Sequence, residues 1–204
     1  MNAMRMPLAL AGVCGLLVVA PGEITAWLVF DRDAILAGEA WRLWTGHLVH
    51  FSWQHALTDI MVLFVVTHIL MHHTGGRVVA LALLVGAPLI SLGLLLAVAH
   101  LQIYAGASGL AMMMGVAVGC VLWRADDRLR GVIGVLALVV LIKLFMDANS
   151  GGLGFSTLPA GVQVAWQAHV IGACLGWLLA QNLTAGNPSN IRLHERDVVD
   201  LINR

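Results

Sequence analysis

This chain is short of charge. Of its 204 residues, 11% are charged and 60% are hydrophobic. An ordinary soluble domain carries about 25% charged and about 45–50% apolar residues. So few charges cannot clothe a water-facing surface, and the mean hydropathy of +0.89 says the same. Acidic and basic residues balance at 11 each, so no excess positive field is present to draw nucleic acid. Cysteine is also scarce. Cys14, Cys120 and Cys174 each stand in an apolar stretch with no paired or metal-site spacing. That argues against a disulfide or a metal and leaves them as small hydrophobes. No internal repeat of the kind common in transporters is visible.

Long apolar runs are what the chain does have. A membrane-spanning helix needs about 20 predominantly apolar residues, and six stretches are candidates, at about 7–20, 55–73, 78–99, 108–123, 131–147 and 164–182. The chain therefore reads as an all-α polytopic membrane protein, with a six-transmembrane-helix domain over 1–186 and a short polar tail over 187–204. Arg5 ahead of the first run gives it the outline of a signal peptide. No convincing cleavage site precedes Pro21, and a retained helix is expected.

Basic residues in short loops collect on the cytoplasmic side. If six helices alternate, Arg5, Arg77, Arg124, Arg128, Arg130, Arg192, Arg196 and Arg204 fall on one side, and Arg32 and Arg42 opposite. Both termini are then cytoplasmic and the long first loop, 21–54, is outside. That loop interleaves charges with Trp27, Trp41, Trp44 and Trp53, a mixture suited to the headgroup region. Ser108, opening the fourth run, lies near the outer face.

Ser108 and His169 carry the chemistry. A hydroxyl becomes a useful nucleophile when a base can take its proton, and polar groups at membrane depth are costly enough to call for a reason. Ser108, Ala111, Gly115 and Gly119 form one small-residue stripe, and His169, Gly172 and Gly176 another. Small-xxx-small faces let membrane helices pack closely, so packing stripe on stripe would bring serine and histidine together. Alone, such stripes are equally packing devices, and a bare Gly-x-Ser-Gly is weak.

The remaining motifs add specificity. Trp41-Arg42, His50, His55, Gly106-Ala107-Ser108-Gly109 and Ala168-His169-Val170-Ile171-Gly172 follow one another in order. With these residues the chain resembles the rhomboid family of intramembrane serine proteases over nearly its whole length. The resemblance implies a rhomboid-like bundle in which Ser108 is the nucleophile and His169 the general base. It also implies that His55 and the backbone N–H of Ser108 serve the oxyanion, a kind of donor worth about 2.7–4 kcal/mol each. His50 would bond loop backbone at the mouth of the second helix, with Trp41 and Arg42 bracing the first loop and Gly106 opening the serine motif. Where the family usually has asparagine as an oxyanion donor, this chain has Asp59. An ionised carboxylate donates nothing, so Asp59 stays protonated, pairs with His55 at i,i+4, or takes no part.

Lys143 and Asp147, one helical turn apart, can pair and lessen the cost of burial. That pair, and Thr45-Gly46-His47 before His50, resemble the bacterial rhombosortase subgroup, associated with substrates ending in Gly-Gly, an apolar helix and a basic tail. The resemblance therefore implies a bacterial inner-membrane endopeptidase acting on single-pass transmembrane proteins within the lipid bilayer. It implies no cofactor and no metal. A catalytically inactive rhomboid-fold binding or quality-control protein is the alternative, and Asp59 is its best support.

Other residues fit blander roles. His68, His72 and His73 suit a hydrated helix end, and Met112-Met113-Met114 suits packing. Tyr104 is placed to anchor at the membrane interface, and His100 to end a helix or contact a loop. His47 is either a partner for loop carbonyls or a solvated surface residue. Gly151, Gly152, Gly154 and Pro159 make the last connection loose.

Overall fold

Each of the six apolar stretches is helical. In the computed structural model, which describes residues 4–150 and 165–185, they are α1 (Arg5–Val18), α5 (Trp53–Thr74), α6 (Gly76–Ala97), α7 (Ser108–Ala125), α8 (Arg130–Ser150) and α9 (Trp166–Ala185). Among the described residues, four segments are long and apolar enough to cross a membrane: Trp53–Thr74, Gly76–Ala97, Ser108–Ala125 and Asp127–Asn149. At 14 residues α1 is shorter than a span. The 20-residue α9, which carries Gln167, His169, Gln181 and Asn182, is not among the four. The glycine-bearing connection 151–164 and the tail 186–204, with Arg192, Arg196 and Arg204, lie outside the described residues.

The outward face of these helices is apolar. Val132, Val135, Leu136, Val139, Ile142 and Phe145 on α8 are all exposed, as are Leu57, Met61 and Val65 on α5. Apolar patches of this extent are not tolerated on a soluble monomer; in an integral membrane protein they face lipid tails. The core lies on the opposite faces, where Leu63, Leu70, Ile90, Leu94, Met114 and Val121 are buried together.

The first loop is an ordered layer. It holds α2 (Gly22–Leu28), β1 (Phe30–Asp31), α3 (Arg32–Leu36) and α4 (Arg42–Thr45). Arg42 is 6% exposed. Its Nη1 donates to the carbonyls of Ala26 at 2.8 Å and Val29 at 2.7 Å, while its Nε meets Glu39 at 2.6 Å. A buried guanidinium needs such partners, and here they fix the loop's path. The indole of Trp41 donates to the carbonyl of Trp27 at 3.2 Å. β1 pairs antiparallel with β2 (Ile103–Tyr104), Phe30 opposite Tyr104, which ties the loop to the segment leading into α7.

Pro88 gives the loop a second anchor. A proline inside a helix supplies no N–H to the carbonyl four residues earlier, here Leu84 in α6. The indole of Trp44 donates to that carbonyl at 2.8 Å, so the helix defect becomes a docking point. A capping serine starts α5: the Ser52 side chain accepts from the His55 N–H at 3.2 Å.

The central contact is α7 against α9, closer than side chains permit. A Cβ at Gly172 would collide with the carbonyl of Gly109, and one at Gly176 with the carbonyl of Met113. Half of the expected stripe-on-stripe packing is found. The α9 stripe faces α7, but it meets the Gly109–Met113 face of that helix. Gly115 instead looks toward Val66 of α5 and Gly119 toward Ile133 of α8. Gly109 on α7, with Gly172 and Gly176 on α9, lets the two backbones touch, so Gly115 and Gly119 are free to serve other neighbours.

Gly176→Ala is accordingly expected to lower stability in detergent by about 1–3 kcal/mol, the usual cost of overpacking, read as a lower thermal midpoint. Gly134→Ala on α8, where nothing lies within 4 Å, is the control and should hold or raise the midpoint. Equal midpoints for the two variants would show that the α7–α9 approach is not the constraint.

Candidate active site

Close helix contact sets the serine–histidine geometry. His169 lies one turn before Gly172 on α9, and Ser108 is the first residue of α7, next to Gly109. The approach of Gly172 to Gly109 leaves His169 Nε2 2.9 Å from Ser108 Oγ. His169 is 6% exposed and Ser108 half-buried, so the pair sits in a mostly protein-lined setting with one side open. An imidazole at that distance is within reach of the hydroxyl proton.

The chain reaches Ser108 through a constrained turn. Gly106 has φ of +127°, a region that a side chain strongly disfavours. A Cβ there would also sit 2.9 Å from His55 Nε2 and 3.1 Å from Asp59 Oδ2. Three bonds hold the turn: the Gly106 N–H donates to the Gly46 carbonyl at 3.1 Å, the Tyr104 hydroxyl donates to the Gly106 carbonyl at 2.8 Å, and the Ala107 N–H faces His50 Nε2 at 3.4 Å. Tyr104 is 4% exposed, not the interface anchor expected of it. Pairing of its strand with β1 turns the ring inward, edge-on to Phe30.

Across this turn stand His50, His55 and Asp59. Asp59 Oδ2 lies 3.3 Å from Nε2 of both histidines, whose rings meet edge to face at 5.1 Å. Of the roles open to Asp59 from sequence, the i,i+4 approach to His55 is present, joined by a second approach to His50. In the tautomer that accepts the Ala107 N–H, His50 has no Nε2 proton to give, and His55 is then the donor to the carboxylate. Ser108, His169, His55, Asp59, Gly106 and His50 thus form one neighbourhood at the start of α7.

The family follows from a comparison that covers most of the chain. Residues 37–185 match the model of the Rhomboid domain. The chain belongs to the rhomboid family. Its members are generally serine proteases that act on membrane proteins within the bilayer. No individual curated protein matches the chain. In this rhomboid the match takes in the Arg42 brace, the histidines of the first loop and α5, Ser108 and His169.

Sequence reasoning left His47 open, and the structure places it at the centre of the loop's attachment. It is fully buried. Its Nε2 lies 3.0 Å from both the Ala87 carbonyl and Ser91 Oγ, and Ser91 itself donates to the Leu43 carbonyl at 2.9 Å. A neutral imidazole with its proton on Nε2 suits that set of acceptors. Pro88 frees the Leu84 carbonyl for Trp44, but no local signal pointed His47 to Ala87 and Ser91, which lie 40 and 44 residues further along the chain. His68 and His72 approach at 3.3 Å near the far end of α5, remote in sequence and helix position from Ser108. His100 is exposed.

Burial pushes the His47 imidazole from 6.5 down to about 4. The unfolded chain therefore takes up this proton first as pH falls. Stability from neutral His47 is complete above pH 6.5 and is lost as pH drops from there through about 4. His47→Asn is expected to melt lower than the natural protein near neutral pH, with the gap closing in that window. A gap that stays constant between about pH 7 and about pH 4.5 would overturn the assignment.

Proposed function

We propose that this rhomboid is an active intramembrane serine endopeptidase. The observation that carries the reading is the 2.9 Å approach of His169 Nε2 to Ser108 Oγ. Ser108 attacks a substrate carbonyl as its proton moves to His169, an acyl-Ser108 intermediate forms, and His169 returns the proton to the leaving amine. Water then hydrolyses the ester. His55 and the backbone N–H of Ser108, a donor without an intrahelical acceptor at the head of α7, stabilise the oxyanion. Gly106 and His50 hold the turn that presents them. The substrates are single-pass transmembrane proteins, cleaved near the outer face where a helix-poor, glycine-rich segment opens readily. The polar character of Lys143 and Asp147, and Thr45-Gly46-His47, support a rhombosortase-like preference for Gly-Gly-type C-terminal anchors. On this reading the protein lies in a bacterial inner membrane, with six spans and cytoplasmic termini. Residues 1–186 form the membrane domain and 187–204 the tail.

Labelling of the detergent-solubilised protein with a fluorophosphonate tests this. The natural protein should label, and Ser108→Ala and His169→Ala should each lose essentially all of it. Retained labelling in Ser108→Ala overturns the reading. No labelling of a folded natural protein by a small probe would favour the inactive binding protein.

Asp59 favours that second reading, since a carboxylate beside a developing oxyanion opposes its charge. In the active enzyme, therefore, Asp59→Asn removes an opposing charge and adds a donor, and it should label at least as fast as the natural protein. A loss of about tenfold or more, the scale of a removed transition-state interaction, would show instead that the carboxylate is needed to hold His55.

A further inference from the structure

His169 has two ring nitrogens, and Ser108 occupies only one. The other, Nδ1, is buried and has no hydrogen-bond partner among the described residues. It faces the carboxylate of Asp147 on α8, with Oδ2 at 3.9 Å. Asp147 is 2% exposed, and its Oδ1 is likewise buried and unpartnered among the described residues. Two unpartnered polar atoms on facing helices, one acidic and one basic, are an uncommon pairing in a protein interior. A small side-chain rotation or one bridging water closes the gap.

Lys143 completes the arrangement. One turn earlier on α8, its ammonium pairs with Asp147 Oδ2 and is about one-third exposed. It holds the same carboxylate oxygen that faces the ring. The expectation of a Lys143–Asp147 pair is therefore met.

We infer that Asp147 is a positioning residue for the proposed hydrolysis. It acts through His169 Nδ1, fixes the tautomer that leaves Nε2 free to accept the Ser108 proton, and is itself held by Lys143. The inference rests on the protease reading. As the bond from Ser108 Oγ to the acyl carbon forms, the hydroxyl proton passes to His169 Nε2, and the ring becomes an imidazolium. Asp147 stays ionised and takes no proton; its negative charge faces the side of the ring that has become positive. Such a carboxylate orients the base and stabilises its charged form.

Fluorophosphonate labelling kinetics test this, with the limiting rate separated from the probe concentration giving half-saturation. Asp147→Asn keeps the shape and removes the charge. It should lower the limiting rate by about 10–100-fold, less than in the buried triads of soluble proteases because the contact is longer, with half-saturation and thermal midpoint unchanged. Asp147→Glu, which restores a carboxylate, should recover much of the rate. A natural-like rate in Asp147→Asn overturns the inference, as does an equal loss in both variants accompanied by a lowered midpoint. A measurement on the natural protein needs no variant: ¹⁵N spectra of histidine-labelled protein, with the His169 signals assigned by their loss in His169→Ala, should show the proton on Nδ1. A proton resident on Nε2 overturns the inference. Failure of the protease reading is distinct, because there the folded natural protein would not label at all, or Ser108→Ala would label as the natural protein does.

Discussion

Everything at this site depends on two helix backbones touching. Gly172 and Gly176 let α9 lie against the carbonyls of Gly109 and Met113 on α7. In a bilayer no hydrophobic force drives helices together, since lipid tails are as apolar as leucine, and close van der Waals contact must do it. Because the glycines follow His169 by one and two turns, and Gly109 follows Ser108 directly, the contact that joins the helices also sets the distance between the two side chains. A wider crossing would hold the helices less well and part the pair at the same time. Stability and chemistry share one coordinate here.

The first loop solves a different problem. His50, His55 and Asp59 are polar groups near membrane depth, and each needs partners there. They face one another and the Ala107 N–H, and the loop that carries His50 is fastened through backbone acceptors. Arg42 gathers the carbonyls of Ala26 and Val29, Trp44 and His47 take those of Leu84 and Ala87, and Arg32 takes that of Val98 at 3.2 Å. Side-chain donors on main-chain acceptors leave little freedom to the loop, and the Gly46 carbonyl at its end passes that order to Gly106. The turn into α7 is thereby held from outside the bundle and from within it.

The helices were legible because apolar runs of spanning length leave few alternatives, and all six stretches are helical within a few residues of their expected bounds. Gly106–Gly109 and His169 were legible as motifs. What the sequence hid was directional. Periodicity put Ala111, Gly115 and Gly119 on one stripe, but only packing decides which neighbour a stripe meets, and the α7–α9 contact uses Gly109 in place of Gly115 and Gly119. Tyr104 looked like an interface residue because aromatic rings near helix ends often are; a two-residue strand pairing, invisible to propensity, turned it inward. His47 was ambiguous because its partners on α6, the Ala87 carbonyl and Ser91, lie 40 and 44 residues away. The shared position of Asp59 between two histidines is likewise a matter of loop path, not spacing.

The two carboxylates bear on the reaction in opposite ways. On the proposed mechanism, negative charge develops on the substrate oxygen near Asp59, and positive charge develops on His169 near Asp147. In a low-dielectric setting both interactions are stronger than in water, so Asp59 opposes the transition state and Asp147 favours it. Neither carboxylate is left bare. Asp59 is flanked by two imidazoles, and a proton shared from His55 weakens the opposing charge, while Asp147 is paired with an ammonium at the same oxygen, Oδ2, that faces the ring. A site that tolerates a carboxylate on its oxyanion side gains most from a second on its base side. On the proposed mechanism that asymmetry gives a use to the charged pair on α8, a helix whose exposed side chains among the described residues are mostly apolar.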